Sequence, residues 1–258
     1  MWGFDSPHPL TGKNVKTKII YVLFLIAFCG CNIFKPVEEQ KVNEILNKVE
    51  VLTETGKFND AYKEILNLKR INKSPEFLFY KGFLIHKIEK NPSKAIRFLK
   101  KAESLLQNKK SSTQDPLLAI KIEFYLSYAY RELKKEEDAE KFLNSAFSRL
   151  EKNFSLNRFV NGEAMYMLAY IYSLKNKKEE SLLFYNKAIL WFKDNNPLHF
   201  YYPASFFNIG LQYYNEKNYS EAVKFWQKAF ELEPSDGWYK DYYKKWLNVA
   251  MQAYQAGF

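Results

Sequence analysis

Cysteine is almost missing from this chain: of 258 residues only Cys29 and Cys31 carry a thiol, both near the N-terminus. Nothing downstream can form a disulfide or a thiolate metal site. Histidine is nearly as scarce, and His8, His86 and His199 stand without acidic or cysteine neighbours at ligand spacing, so neither a metal nor a catalytic imidazole is expected. The sequence has no GxxxxGKS/T, GxGxxG or GxSxG pattern, which removes phosphate cradles and nucleophile elbows. The carboxylate pairs Glu136–Glu137 and Glu179–Glu180 fall in turns or at helix starts, where the positive end of the helix accounts for them. These absences point away from an enzyme, a cofactor or a small-molecule substrate. Glycine is also sparse, at nine residues, while Lys, Glu, Leu, Ala and Tyr abound, as suits an all-helical protein. The formal charge of +10 is spread over most helices and interleaved with Glu. That is the pattern of a solvated surface, and no nucleic acid partner is expected.

The N-terminus reads as a targeting segment. Lys13 to Lys18 are basic and Ile19 to Phe28 apolar. Ten apolar residues fall short of the roughly 20 that span a bilayer but suit a signal-peptide core. The FCGC that closes the run resembles the lipobox of bacterial lipoproteins. That resemblance implies a signal peptide over 1–30, acylation of Cys31 and a lipid anchor in a bacterial membrane, hence a place in the cell envelope. Removing the leader takes away Lys13, Lys16 and Lys18 against Asp5 and leaves a charge of +8. Residues 31–41, with Pro36 and no helical period, read as a tether.

The most regular stretch runs from Pro203 to Asp236. Counting Pro203 as position one, Phe206 is fourth, Gly210 eighth, Tyr213 eleventh, Ala222 twentieth, Trp226 twenty-fourth, Ala229 twenty-seventh and Pro234 thirty-second. Two antiparallel helices reach the lower end of the 8–10 Å packing range only where small residues face the partner. Gly210, Ala222 and Ala229 supply those faces, and Phe206, Tyr213 and Trp226 fill the gaps. Ser220 is the expected cap of the second helix, and Pro234 ends the unit. This ladder resembles the tetratricopeptide repeat, a helix-turn-helix unit of about 34 residues. The resemblance implies an all-α, right-handed solenoid of about five repeats with a C-terminal capping helix.

The small residue at position twenty recurs as Ala61, Ala95, Ala139, Ser181 and Ala222, placing repeats at about 42–75, 75–110, 120–153, 162–196 and 203–236. Gly82 and Ala169 occupy position eight of the second and fourth. The first repeat has Val49 there and reads as an end cap. The second has one extra residue in its turn. Later repeats carry additional residues at their joints, NKKSSTQDP, NFSLNRFVN and DNNPLHFYYP. Residues 237–258 read as a capping helix or a truncated sixth repeat.

In such arrays positions two, five, nine, twelve and thirteen of each first helix line the inner face. Positions five and nine are here Phe79 and Phe83, Phe124 and Tyr128, Tyr166 and Tyr170, Phe207 and Leu211. His86, Arg131, Ser173 and Tyr214 stand at position twelve. The family members that clamp a carboxyl terminus use Lys at five and Asn at nine, and neither occurs here. An aromatic groove suits an extended peptide or an amphipathic helix from another protein. The same rings could instead be core, buried by neighbouring helices. The resemblance thus implies a membrane-tethered interaction scaffold. A narrower version is an assembly lipoprotein for an outer-membrane or pilus complex, and the alternative from another class is a non-catalytic accessory to a peptidoglycan enzyme.

Overall fold

The computed structural model describes residues 40–68, 74–108, 116–155 and 161–256. Two compact units divide the chain, Met1–Glu44 and Ile45–Phe258. Of the first only residues 40–44 are described, as the opening of a helix whose remainder, with all later helices, belongs to the second. The leader, Cys31 and the tether lie outside the described residues. Among the described residues there is no strand, and no helix is long and apolar enough to cross a membrane.

The helices come in pairs joined by tight turns. They are α1 (40–54) and α2 (Phe58–Asn67), α3 (Pro75–Leu84) and α4 (Pro92–Asn108), α5 (Pro116–Glu132) and α6 (Glu136–Ser155). Then follow α7 (Gly162–Leu174) and α8 (Lys178–Asn195), α9 (Tyr201–Asn215) and α10 (Tyr219–Leu232), and the single α11 (Lys240–Gln255). Stacked together, the pairs form an all-α solenoid. Ala61, Ala95, Ala139, Ser181 and Ala222 are each fully buried, so position twenty is part of the core in all five pairs. Ser181 tolerates burial because its hydroxyl donates to Ala169 O (2.9 Å) and accepts from Gln212 Nε2 (2.7 Å). Gly210 meets the same demand from the other side, since a Cβ there would lie 2.5 Å from Trp226 Cδ1.

A second five-fold regularity is in the backbone. Gly56, Lys90, Lys134, Asn176 and Lys217 have φ between 52° and 72°, and each closes a first helix in the left-handed conformation. In four turns the same six-residue bond follows: Lys57, Lys135, Lys177 and Asn218 donate N–H to Leu52, Tyr130, Tyr172 and Tyr213 O at 2.8–3.0 Å. The exception is the second repeat, whose extra residue is absorbed by a π-helical turn, Ile85–Glu89, at the end of α3. A single inserted residue is the usual origin of such a bulge.

Extra length in the later repeats is partly helix. The second helices α6 and α8 run for 20 and 18 residues against 14 for α10. The last joint does something different: His199, Phe200 and Tyr201 are buried and turn inward. The Phe200 N–H donates to Glu54 O at 2.7 Å, and the Phe200 ring stands edge-on to Phe58 at 5.4 Å. Trp238 and Tyr239 reach the same Phe58 ring at 5.6 and 6.3 Å. First repeat, last joint and the turn before α11 therefore share one aromatic cluster.

One local expectation is corrected. Ser220 does not cap α10; Asn218 does, its Oδ1 accepting from Glu221 N (3.3 Å), while Ser220 Oγ donates to that same oxygen (3.2 Å). Asn218 precedes the first helical residue and so faces the free N–H groups, whereas Ser220 lies inside the helix.

Candidate functional site

The stripe along the first helices divides in two. Phe79, Phe83, Phe124, Tyr166 and Phe207 are buried, each under a ring from elsewhere. Tyr125 covers Phe79 and Phe83 (5.9 and 4.7 Å between centroids), Tyr170 lies edge-on to Phe124 (5.5 Å), and Tyr201 stacks on Tyr166 at 3.9 Å. Tyr243 of α11 covers Phe207 at 5.2 Å. Tyr128, Arg131, Tyr170, Leu211 and Tyr214 remain half-buried. Of these, Leu211 and Tyr214 pack on the cluster around Trp226, and Tyr214 also reaches Trp246 at 6.2 Å. The inner face is thus core over half its length, sealed by the joint residues His199–Tyr201 and by α11. Its open part lies around Tyr128, Arg131 and Tyr170.

The scaffold positions Gly82, Ala95, Ala139, Ala169, Gly210, Ala222 and Ala229 are all buried. A Cβ on Gly82 would come within 2.9 Å of Leu99 Cγ. The chain leaves helical geometry at Glu233, just before Pro234.

Neither internal histidine is isolated, contrary to what local spacing indicated. His199 Nε2 lies 3.3 Å from Glu163 Oε1, and Lys121 pairs with the other Glu163 oxygen. His86 Nε2 meets Glu132 Oε2 at 2.9 Å. These partners come from other repeats, so no short-range pattern could show them. Position two of the first helix could have, since Lys121 and Glu163 both stand there, and position thirteen holds Lys87 and Glu132.

Lys121 and Glu163 border a cavity of about 20 Å³, room for one water. Glu54, Glu163 and His199 each bring a ligand atom within 4.8 Å of the others. The imidazole tautomer argues against a metal. Its Nδ1 accepts the Tyr201 N–H at 3.1 Å, which leaves the proton of the neutral ring on Nε2, the atom a cation would need. The group is better described as a buried ion pair. Burial pushes the Glu163 carboxyl up, but Lys121 and His199 outweigh it and hold its pKa at about 2.

The open part of the inner face carries more polar chemistry. The π-turn places His86 edge-on to Tyr128 (5.5 Å), and Tyr128 lies 6.5 Å from Tyr170. Burial lowers the His86 pKa against the pull of Glu132. Lys87 Nζ donates to Tyr239 Oη at 2.9 Å and sits 5.8 Å over the Phe83 ring. Burial raises the Tyr128 hydroxyl to about 12, so these phenols stay protonated and serve as neutral hydrogen-bonding groups.

Models of the tetratricopeptide repeat match residues 162–195 and 203–236, the fourth and fifth pairs. The chain is a tetratricopeptide-repeat protein. No curated protein sequence matches it. Among solved structures, the repeat protein resembles TTC0263 of Thermus thermophilus, a thermophilic TPR protein, at 17% identity and TM-score 0.54, over 81% of this chain and 98% of that one. NprR in complex with its cognate peptide NprX is similar at 15% identity and TM-score 0.56, over 95% of this chain and 75% of that one. Bacillus thuringiensis PlcR in complex with the peptide PapR7 and DNA is similar at 19% identity and TM-score 0.54, over 75% and 69%. At these identities the likeness is one of fold.

Proposed function

We propose that the chain is a non-catalytic interaction scaffold that holds a peptide segment of a partner protein against the open part of its inner face. The observation that carries this reading is the row Tyr128, Arg131 and Tyr170. These groups project from successive first helices and stay half-open to solvent, while at the equivalent positions Phe83 and His86 on one side are buried and Leu211 and Tyr214 on the other pack on the Trp226 cluster. Tyrosine presents a large, rigid contact surface at low entropic cost, which favours it wherever proteins meet. The peptide complexes of NprR and PlcR support the reading by analogy of fold, a weaker warrant than the site itself.

The anchor belongs to the same proposal and rests on the N-terminal sequence alone. Acyl chains on Cys31 would hold the scaffold at a bacterial membrane, each buried methylene contributing about 0.8 kcal/mol. The tether would then leave the repeats free to meet an envelope partner.

The test is photo-crosslinking in cells with a benzoylphenylalanine at position 128, and at the exposed outer-face Leu190 as control. A defined protein adduct at 128, absent at 190 and lost with Tyr170→Ala, is expected. Tyr128→Ala with Tyr170→Ala should also lower the melting midpoint by only a few degrees. A collapse of stability would show that these rings are core, and no adduct at 128 would end the proposal. In the same cells Cys31→Ala should move the protein out of the membrane fraction. Retention there with unchanged acyl labelling would remove the anchor.

A further inference from the structure

The π-turn marks where the inner face is most unusual. The other four turns close on Gly56, Lys134, Asn176 and Lys217 with no residue to spare, whereas here the added residue widens the end of α3 and leaves two adjacent side chains, His86 and Lys87, packed inward. His86 is 8% exposed, its Nε2 is taken by Glu132, and its buried Nδ1 has no hydrogen-bond partner. Lys87 is partly buried, and its ammonium meets a phenol and two ring faces, with the Glu132 carboxylate near enough to favour its charge. Arg131, one repeat on, faces the Tyr170 hydroxyl. Neither Lys87 nor Arg131 forms an ion pair among the described residues, although eleven other pairs do. The one carboxylate in the cluster, Glu132, is already engaged by His86.

Contacts run from Lys87 to Tyr239, and separately from His86 through Tyr128 to Tyr170, with Arg131 beside the Tyr170 hydroxyl. A partly buried cation whose one nearby carboxylate is shared with an imidazole is under-compensated, and it gains most from an anion brought into the same low-dielectric place. We propose that the π-turn end of the inner face is an acidic-side-chain subsite, in which Lys87 and Arg131 take an Asp or Glu of the bound peptide while Tyr128 and Tyr170 pack its neighbours. The occupant is therefore an extended segment with a carboxylate beside an apolar or aromatic residue. Carboxylate–guanidinium and carboxylate–ammonium hydrogen bonds are the stronger kind, which also fixes the peptide's register. This inference rests on the peptide reading above and narrows it.

The test is a ribosome-display library of random decapeptides selected on the immobilised full-length protein, on Lys87→Met with Arg131→Gln, and on Tyr128→Ala with Tyr170→Ala. Met keeps the aliphatic packing of Lys87, and Lys87→Arg serves as the charge-retaining control. The wild type should enrich peptides with Asp or Glu next to an apolar residue. A labelled winner should bind at least tenfold more weakly when either cation is removed, tenfold corresponding to one lost charged hydrogen bond. Lys87→Arg should restore most of that loss. Enrichment without acidic preference, or the same winners on the charge-deleted protein, overturns the subsite and leaves peptide binding standing. No enrichment at all, with the variants folded by circular dichroism, overturns both. A labelled 20-nucleotide single-stranded DNA that binds more tightly than the selected peptides, and loses binding with the same substitutions, assigns the cations to phosphate and overturns the proposal.

Discussion

Replacing Gly210 by Ala sets two opposed effects against each other at a site where both can be sized. In an exposed helix interior the change would stabilise by about 1 kcal/mol, because Ala loses less conformational freedom than Gly. Here the new methyl would sit 2.5 Å from Trp226 Cδ1 and 2.6 Å from Nε1, against a comfortable heavy-atom separation of about 3.5–4.0 Å. Something must yield by about 1 Å. The indole is fully buried, donates Nε1–H to Phe207 O at 2.8 Å and is ringed by Phe207, Tyr214 and Trp246 within 5.2–5.6 Å. Swinging it away would strand that donor at about 1–3 kcal/mol, and parting α9 from α10 would cost a similar amount as overpacking does elsewhere. The expected net loss is about 1–3 kcal/mol, or roughly 3–10 °C for a domain of this size. Thermal unfolding followed at 222 nm reads it directly. In a Trp226→Phe background the smaller ring leaves room for the methyl, so the same Gly210→Ala change should cost much less or stabilise. A Gly210→Ala protein that melts at or above the wild-type midpoint refutes the claim that helix approach requires the missing Cβ.

Two further outcomes are expected. Lys134 and Lys217 hold φ of 57° and 61°, a conformation that costs an L-residue about 1–2 kcal/mol. Glycine there should therefore raise the midpoint by one to a few degrees, net of its own entropy cost; a drop would show that the lysine side chains contribute more than the backbone strains. Lys121 and His199 hold the Glu163 pKa at about 2 against an ordinary 4.5. A carboxylate so depressed stabilises the fold above pH 4.5, and that contribution is lost as pH falls from 4.5 towards 2, on the order of 3 kcal/mol in all. Urea unfolding of Glu163→Gln should show lower stability at pH 7 and a flatter profile between pH 4.5 and 2. An unchanged slope in that window would show that Glu163 is not the group responsible.

How much of this could be read beforehand depended on the range of the interaction. Pair packing is set by residues about a dozen apart, so Gly210 against Trp226 and the five position-twenty residues were visible in their spacing. The left-handed turns were hidden, because Lys90, Lys134 and Lys217 carry none of the glycine that usually announces them. The inner face was legible as a list of side chains but not as open or sealed. What sealed it came from the joint His199–Tyr201 and from α11, segments that the repeat pattern treats as additions. The same limit explains the histidines, whose acidic partners Glu132 and Glu163 lie more than a repeat away. Only the π-turn left a direct trace, as the one repeat whose count ran a residue long.

The hydrogen bond from Phe200 to Glu54 changes how the chain should respond to being cut or pulled. In an open array each unit leans on its neighbours alone, and the ends can fray independently. Here the turn of the first pair is roofed by the last joint and by Trp238 and Tyr239, so the two termini of the array share one fate. Deleting the first pair would bare Phe200 and Trp238 and loosen α9, far from the cut in sequence. Closure also fixes the bore of the winding. Under the proposed function a partner would meet a preset inner face instead of a spring that must be stretched around it, and much of the ordering cost of binding would have been met when the protein folds.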